Sequence, residues 1–288
     1  MSANLSFSET QETRLLELGV PCSDLAQGFA TKAERNRAFQ EQERALARKN
    51  REQLRLLLEE SHEPALCALI RTLAATLHAM GFTQVATPTT IPRLFLERMG
   101  ITTRHPLHRQ VYWLDAKTCL RPMLAPGLYA LSQRLLNVAD LPLRLFEIGS
   151  CFRRESEGHR HLREFTMLNL VEWGTPVDER IPRLEELMRL VLDAGNLKGY
   201  RLEEEDSTIY GRGMDAVDRH GLELASSSMG PHRLDPAWRI ATSWVGIGFG
   251  LERLLMSREG GEDGEGGEGI HRHARSFTFL DGVSLNMK

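Results

Sequence analysis

Cysteine is scarce in this chain: four in 288 residues (Cys22, Cys67, Cys119 and Cys151), with no CxxC pair and no His-rich spacing beside them. That pattern argues against a disulfide framework and against zinc, and leaves reduced, mostly buried thiols. Long apolar runs are missing too. None approaches the roughly 20 residues that span a bilayer. The opening residues, Met1-Ser-Ala-Asn-Leu-Ser-Phe-Ser-Glu9, lack the basic start and apolar core of a secretion signal. A cytoplasmic protein is the expectation. Two phosphate-binding signatures are also absent: there is no GxxxxGK[ST], and no GxGxxG between a strand and a helix. A P-loop or Rossmann domain is therefore disfavoured. Neither sign of charge is in excess, with a formal net charge of −3 and 26% charged residues. Only a local basic face could serve a polyanion.

What is present reads as one large domain, or a domain with a small appendage. Thr31-Lys-Ala-Glu34 is a capping box, which predicts a long polar helix to about residue 60. Residues 32–55 hold eight basic and four acidic side chains, a local +4. This is either a solvated face or a phosphate-backbone contact surface. Pro64 opens a second helix, whose Leu66, Leu69, Ile70, Leu73, Leu77 and Met80 make one apolar stripe. Gly81 caps it, and residues 82–87 read as a strand ended by Pro88. That helix–strand–proline unit suits either plain core or a subunit interface.

Strand signals dominate the remainder. Residues 110–114 and 118–121 flank Asp115-Ala-Lys117 as a hairpin. A helix is expected from Pro126 to about residue 137, two long strands over 143–152 and 164–173, and a helix over 178–193. Shorter strands fall around 201–205, 222–227 and 242–246, with a last helix starting near Gly250. Strands joined by turns, without strict strand–helix alternation, imply an α+β fold: a mainly antiparallel sheet flanked by helices. Residues 260–269 hold six glycines and four acids and read as a surface loop with no assigned function.

Three constellations carry chemistry. Phe152-Arg153-Arg154-Glu155 ends a strand, and His161 and Phe165 follow its polar loop. An arginine fork held there can bridge a carboxylate and a phosphate bidentately and stabilise the charge that grows when a carboxylate attacks the α-phosphate of ATP. Glu155 suits an adenine amino group, and Phe165 offers a ring for stacking. The second is Gly246-Ile-Gly-Phe-Gly-Leu-Glu-Arg253, where small residues permit close backbone approach and a helix start favours phosphate. The third is Leu222-Glu223-Leu-Ala-Ser-Ser227: Glu223 there pairs with an arginine, holds Mg²⁺ against phosphates, or is an ordinary exposed position.

In chain order, the helix–strand unit ending at Pro88, Phe152-Arg-Arg-Glu155 to Phe165, and Gly248-Phe-Gly-Leu-Glu-Arg253 resemble motifs one, two and three of the class II aminoacyl-tRNA synthetases. Longer strings narrow the likeness. Cys119-Leu-Arg-Pro-Met-Leu-Ala-Pro126, Phe146-Glu-Ile-Gly149, Glu164-Phe-Thr-Met-Leu-Asn169, Trp244-Val-Gly-Ile-Gly-Phe-Gly-Leu-Glu-Arg-Leu-Leu255, Ala274-Arg-Ser276 and Asp281-Gly-Val283 are similar to the pyrrolysyl-tRNA synthetase family, over about 80–288 and more loosely before.

The resemblance implies ATP and Mg²⁺ as cofactors and a tRNA as partner. It implies Arg153 on the substrate carboxylate and α-phosphate, Glu155 on the adenine amino group, and Phe165 with Arg253 sandwiching the ring. His161 and Leu162 would line the triphosphate, and Glu223 with Ser226 would hold magnesium. The amino-acid pocket would comprise Ala125, Leu128, Tyr129, Ser132, Asn169, Val171, Ser228 and Trp244, closed by Tyr210. Asn169 would bond the side-chain amide carbonyl of the substrate.

Such a pocket, apolar and roomy with one amide, suits a long lysine chain capped by an apolar acyl ring. No carboxylate for a free lysine ammonium is evident. Gly127, Val171 and Ser132 depart from the family's usual residues, and the family's separate N-terminal tRNA-binding domain is not seen. The expected partition is a tRNA-contacting helical segment over 1–62 and a catalytic domain over 63–288. A homodimer is expected, along with a separate polypeptide for tRNA binding as an option. The alternatives are a class II enzyme for a phenylalanine-like amino acid and a non-catalytic paralogue.

Overall fold

The structure is a computed structural model and describes residues 5–20, 22–154, 162–207, 211–259 and 270–287. Glu155, His161, Tyr210 and the segment 260–269 lie outside them. The elements, in chain order, are α1 (Glu9–Glu17), α2 (Lys32–Glu59), α3 (Ala65–Ala79), β1 (Thr83–Gln84), β2 (Thr90–Pro92), α4 (Arg93–Arg98), α5 (Pro106–Gln110), β3 (Thr118–Leu120) and α6 (Ala125–Leu135). They continue with β4 (Leu143–Phe152), β5 (Glu164–Trp173), α7 (Arg180–Ala194), β6 (Arg201–Ser207), β7 (Gly211–Val217), β8 (Glu223–Gly230), β9 (Trp244–Gly250), α8 (Leu251–Glu259), β10 (Phe279–Leu280) and β11 (Val283–Ser284). Two compact units result, Met1–Ala68 with Glu259–Lys288, and Leu69–Arg258.

In the first unit, Ser8 caps α1 through a full capping box with Gln11. Helix α1 lies on α2, and Phe7, Leu15 and Phe29 form a small core with Ala38, Phe39 and Leu46. The box expected at Thr31 is half-formed. Thr31 accepts from the Glu34 backbone N–H at 3.1 Å, but the Glu34 carboxylate takes the Ala30 N–H rather than that of Thr31. The C-terminal residues are pinned here: Arg14 and Arg51 donate to the carbonyls of Asn286 and Met287, and the Asp281 carboxylate accepts from the Ala65 N–H.

The second unit is built on a seven-stranded sheet of order β1-β4-β5-β9-β8-β7-β6, antiparallel except for β1 on β4. The α+β reading and the bounds of β4 and β5 hold. The strand expected at 82–87 shrinks to two residues. After the Val85 N–H reaches the Phe146 carbonyl, Thr87 turns to a buried polar network and the chain leaves the ladder. The hairpin expected at 110–121 forms only in part. Asp115 accepts from the Lys117 and Thr118 N–H groups, which makes the turn. Helix α5, opened by Pro106 and the His105 cap, takes Gln110, but the rest of the first arm pairs as expected. The Leu114 N–H donates to the Thr118 carbonyl, the Leu120 N–H donates to the Tyr112 carbonyl, and Trp113 bridges Cys119, while β2 forms the ladder on the other edge of β3. Strand β7 and the β10–β11 hairpin add to the expected set. Helix α7 buries Leu184, Leu187, Met188, Val191 and Leu192 and packs on β7, β8 and β9.

Candidate active site

Cross-strand pairing collects the predicted residues on one sheet face. On β5, residues at i, i+2 spacing share a face, so Phe165, Asn169, Val171 and Trp173 lie together. Their partners continue that face: Asn169 opposes Gly248, Val171 opposes Gly246, and Trp173 opposes Trp244. One strand further, Ser226 pairs with Gly248, Ser228 with Gly246 and Gly230 with Trp244. The glycines of β9 therefore form a floor without Cβ atoms. A Cβ at Gly248 would meet the Asn169 Nδ2 at 3.1 Å, and one at Gly230 would meet the Trp244 Nε1 at 1.9 Å. The GxGxG run thus serves close approach of side chains as well as of backbone.

Glu223 joins this face through a bulge. Spacing of three puts two strand residues on opposite sides, but the β7–β8 register shifts between Ala216 and Val217, so Glu223 and Ala225 sit against consecutive β7 residues. The extra residue turns Glu223 and Ser226 to the same side, while Leu224 and Ala225 are both buried.

At the adenylate end, the Arg153 Nε donates to the Pro122 carbonyl at 3.0 Å and its guanidinium lies 5.2 Å from the Phe165 ring centroid. In this structure it is Arg153, not Arg253, that covers Phe165. Arg253 donates to the Glu223 carbonyl at 3.2 Å and meets its carboxylate at 3.4 Å. Leu162 is buried. Glu252, to which the sequence reading gives no role, anchors this arrangement. It is 2% exposed, and both its oxygens accept from the Thr166 N–H at 2.9 Å. A carboxylate inside Leu251-Glu-Arg-Leu-Leu255 is the sequence signal that points to it. Cys151 sits below, where burial pushes its thiol up to about 12 despite Arg121 and Arg153 nearby.

A second buried network supports Arg153. Arg121 (5% exposed) and Glu147 (2%) pair at 2.6 Å. Arg121 also donates to the Ser150 and Thr87 carbonyls, and Glu147 accepts from the Thr87 N–H and hydroxyl. The Arg121 carbonyl accepts from the Phe152 N–H, and the adjoining Pro122 holds Arg153. Gly149 lets the guanidinium through: a Cβ there would lie 2.2 Å from its Nη2.

At the side-chain end, Ala125, Leu128, Tyr129 and Ser132 come from α6. Leu128, Tyr129, Val171 and Trp244 belong to one buried cluster with Trp173 and Trp238, and Ala125 packs against it. Ser132 is fully buried and accepts from the Trp173 Nε1 at 2.9 Å, which places it behind the wall rather than on it. Ser228 is 5% exposed. The Asn169 Oδ1 is buried without a partner. A carboxylate is present after all. Asp235 comes from the turn Asp235–Trp238 and accepts from the Tyr129 hydroxyl, the Trp244 Nε1 and the His232 N–H.

Among the described residues no group of three or more His, Cys, Asp or Glu is placed to hold a metal, and no helix is long and apolar enough to cross a membrane.

Residues 112–232 match a family model described as the tRNA synthetase class II core domain (G, H, P, S and T). A threonine--tRNA ligase of Treponema pallidum (strain Nichols) is 32% identical over 96 residues, 33% of this chain and 16% of that protein. One of Methylobacillus flagellatus is 33% identical over 85 residues, 28% of this chain and 13% of that protein. The matched stretch therefore spans less than a fifth of these curated relatives. Among solved structures, a pyrrolysyl-tRNA synthetase from Desulfitobacterium hafniense aligns with a TM-score of 0.89 and 48% identity, covering 98% of this chain and 99% of that one. A second structure of a pyrrolysyl-tRNA synthetase from the same organism gives 0.87 and 48%, covering 98% and 96%.

Proposed function

The chain belongs to the pyrrolysyl-tRNA synthetases, a family with the class II aminoacyl-tRNA synthetase catalytic fold, and from that membership we propose that it activates pyrrolysine with ATP and transfers it to the 3′ end of its tRNA. In the first step a carboxylate oxygen of the amino acid attacks the α-phosphorus, and the bond to the β-phosphate breaks, releasing pyrophosphate. No general base is needed, because the carboxylate is ionised at neutral pH. In the second, the terminal ribose hydroxyl of the tRNA takes the acyl group and AMP leaves.

Arg153 holds the carboxylate and the α-phosphoryl oxygens. Its Nε is fixed by Pro122, which leaves the other guanidinium N–H groups for the reacting atoms. Phe165, Leu162 and Arg253 serve the nucleotide, together with Glu155 and His161. Glu223 and Ser226 share a face as two oxygen donors, which suits magnesium brought in with the triphosphate. Glu223 and Ser226 would hold and orient that ion, which would supply neutralisation of the phosphate charge.

The observation that carries the substrate reading is Asn169. It is a carboxamide with a buried, unpartnered oxygen, on an otherwise aromatic and aliphatic face. A buried polar atom without a partner calls for one from a ligand, and a secondary amide on a long chain supplies it. Tyr210 closes over the chain.

Residues 1–62 are the tRNA-contacting segment and 63–288 the catalytic part. The protein would work as a cytoplasmic homodimer, with tRNA binding either shared with a second polypeptide or carried by this chain alone. Pyrophosphate exchange with pyrrolysine tests the site: Asn169→Ala should raise the KM for the amino acid about tenfold or more and leave that for ATP in place. An unchanged amino-acid KM would remove Asn169 from the pocket.

A further inference from the structure

We propose that Asp235 is the specificity-determining residue that makes the pocket's aromatic walls apolar and closes them to an unmodified ammonium. The inference rests on the pocket reading above.

Proton counting leads to it. A tyrosine hydroxyl carries one proton and an indole one N–H. Tyr129 commits its proton to the Asp235 Oδ1 at 3.0 Å, and Trp244 commits its N–H to the Oδ2, also at 3.0 Å. The His232 N–H adds a third donor on Oδ2 at 2.6 Å. Neither ring then has a proton to give a substrate, which leaves the acyl carbonyl to other donors such as the Asn169 carboxamide. The rings are held in place as well. Tyr129 stacks on Trp238 with centroids 5.4 Å apart and stands edge-on to Trp244 at 5.8 Å.

The same bonds seal the acid. Asp235 is 2% exposed, with three of its roughly four acceptor positions filled. It sits at the polar tips of the two rings with each oxygen already bonded to a donor, so a cation would have to displace one of those donors to reach it. A carboxylate that could bind a lysine ammonium is thus masked by the walls that it orients. An acylated lysine, lacking that charge, loses nothing by the masking.

Removing one donor should unmask it. In Tyr129→Phe the ring and its stacking stay, and the Oδ1 of Asp235 is left without the hydroxyl. Pyrophosphate exchange with pyrrolysine and with lysine is measured for the wild-type chain, Tyr129→Phe, Asp235→Asn and Asn169→Ala. In Tyr129→Phe the ratio of kcat/KM for pyrrolysine over lysine should fall by about tenfold or more, with the KM for ATP unmoved. Asp235→Asn carries no charge, so its activity with lysine should not rise. If Asn169→Ala impairs pyrrolysine use while Tyr129→Phe keeps the wild-type ratio, the masking role is wrong and the pocket reading stands. If Asn169→Ala is also without effect, the pocket reading falls and this inference falls with it.

Discussion

Single side chains decide whether the reaction runs. In the proposed reaction Arg153 is a fork whose Nε–H is already tied to the Pro122 carbonyl, so charge alone cannot replace it. Arg153→Ala should abolish pyrophosphate exchange. Arg153→Lys should lose about 10²-fold in kcat, within the range for removing one preorganised donor; kcat within twofold of wild type would show that the fork is not used. Glu172 illustrates the opposite case, a buried acid serving stability. Burial raises its pKa, but hydrogen bonds from Arg183 and Arg144 outweigh that and hold it below the usual carboxylate range. Its folded-state pKa is depressed, so its stabilisation is present above the unfolded value of about 4.3 and is lost as pH falls through the folded one. Glu172→Gln should flatten the loss of Tm below about pH 4.5, measured by thermal melts between pH 3 and 7; an unaltered acid limb would contradict the assignment.

At the scale of elements, the strands most legible in the sequence are the long, mostly apolar ones. Strands β4 (LRLFEIGSCF) and β5 (EFTMLNLVEW) run ten residues each with the polar, Arg-rich segment between them. Strand β7 escapes because Gly211-Arg-Gly213 carries no apolar alternation. Helix α5 goes unread because its five residues are too few to show a period, and it takes Gln110 from the start of the hairpin arm. The candidate site is legible where one residue type suits one chemical job, the jobs proposed for Arg153 and Asn169. Its supports are not. Asp235 in Leu-Asp-Pro reads as a turn, and Glu147 in Phe-Glu-Ile-Gly reads as an ordinary strand position. Both gain meaning only from partners distant in the chain: Tyr129, Trp244 and Arg121.

The Arg121–Glu147 pair ties β4, β3 and the Thr87 segment together beneath Arg153. Glu147→Ala leaves a buried guanidinium unpaired and should cost about 3–5 kcal/mol, read by urea unfolding. A loss below about 1 kcal/mol would fit only an exposed pair. Helix α2 carries the +4 stretch. Charge reversal at Arg44 and Arg48 should weaken tRNA binding and reduce its salt dependence while pyrophosphate exchange is kept; unaltered affinity would make the helix a solvated face.

For the whole molecule, the fold supplies a sheet face floored by glycines, and substrate identity is written on one half of that face. In the proposed reading, nucleotide chemistry gathers at Arg153, Phe165, Glu223 and Arg253, and the aromatic cluster around Asn169 sets which carboxylic acid is activated. A phenylalanine-like substrate would leave the buried Asn169 Oδ1 unpaired, and a free lysine would meet no available carboxylate. The most direct measurement is ATP–pyrophosphate exchange by the purified chain across pyrrolysine, lysine, phenylalanine and threonine. Exchange with pyrrolysine that exceeds the other three by at least about 10²-fold in kcat/KM is the expected result. Equal or greater exchange with phenylalanine, threonine or lysine would contradict the assignment.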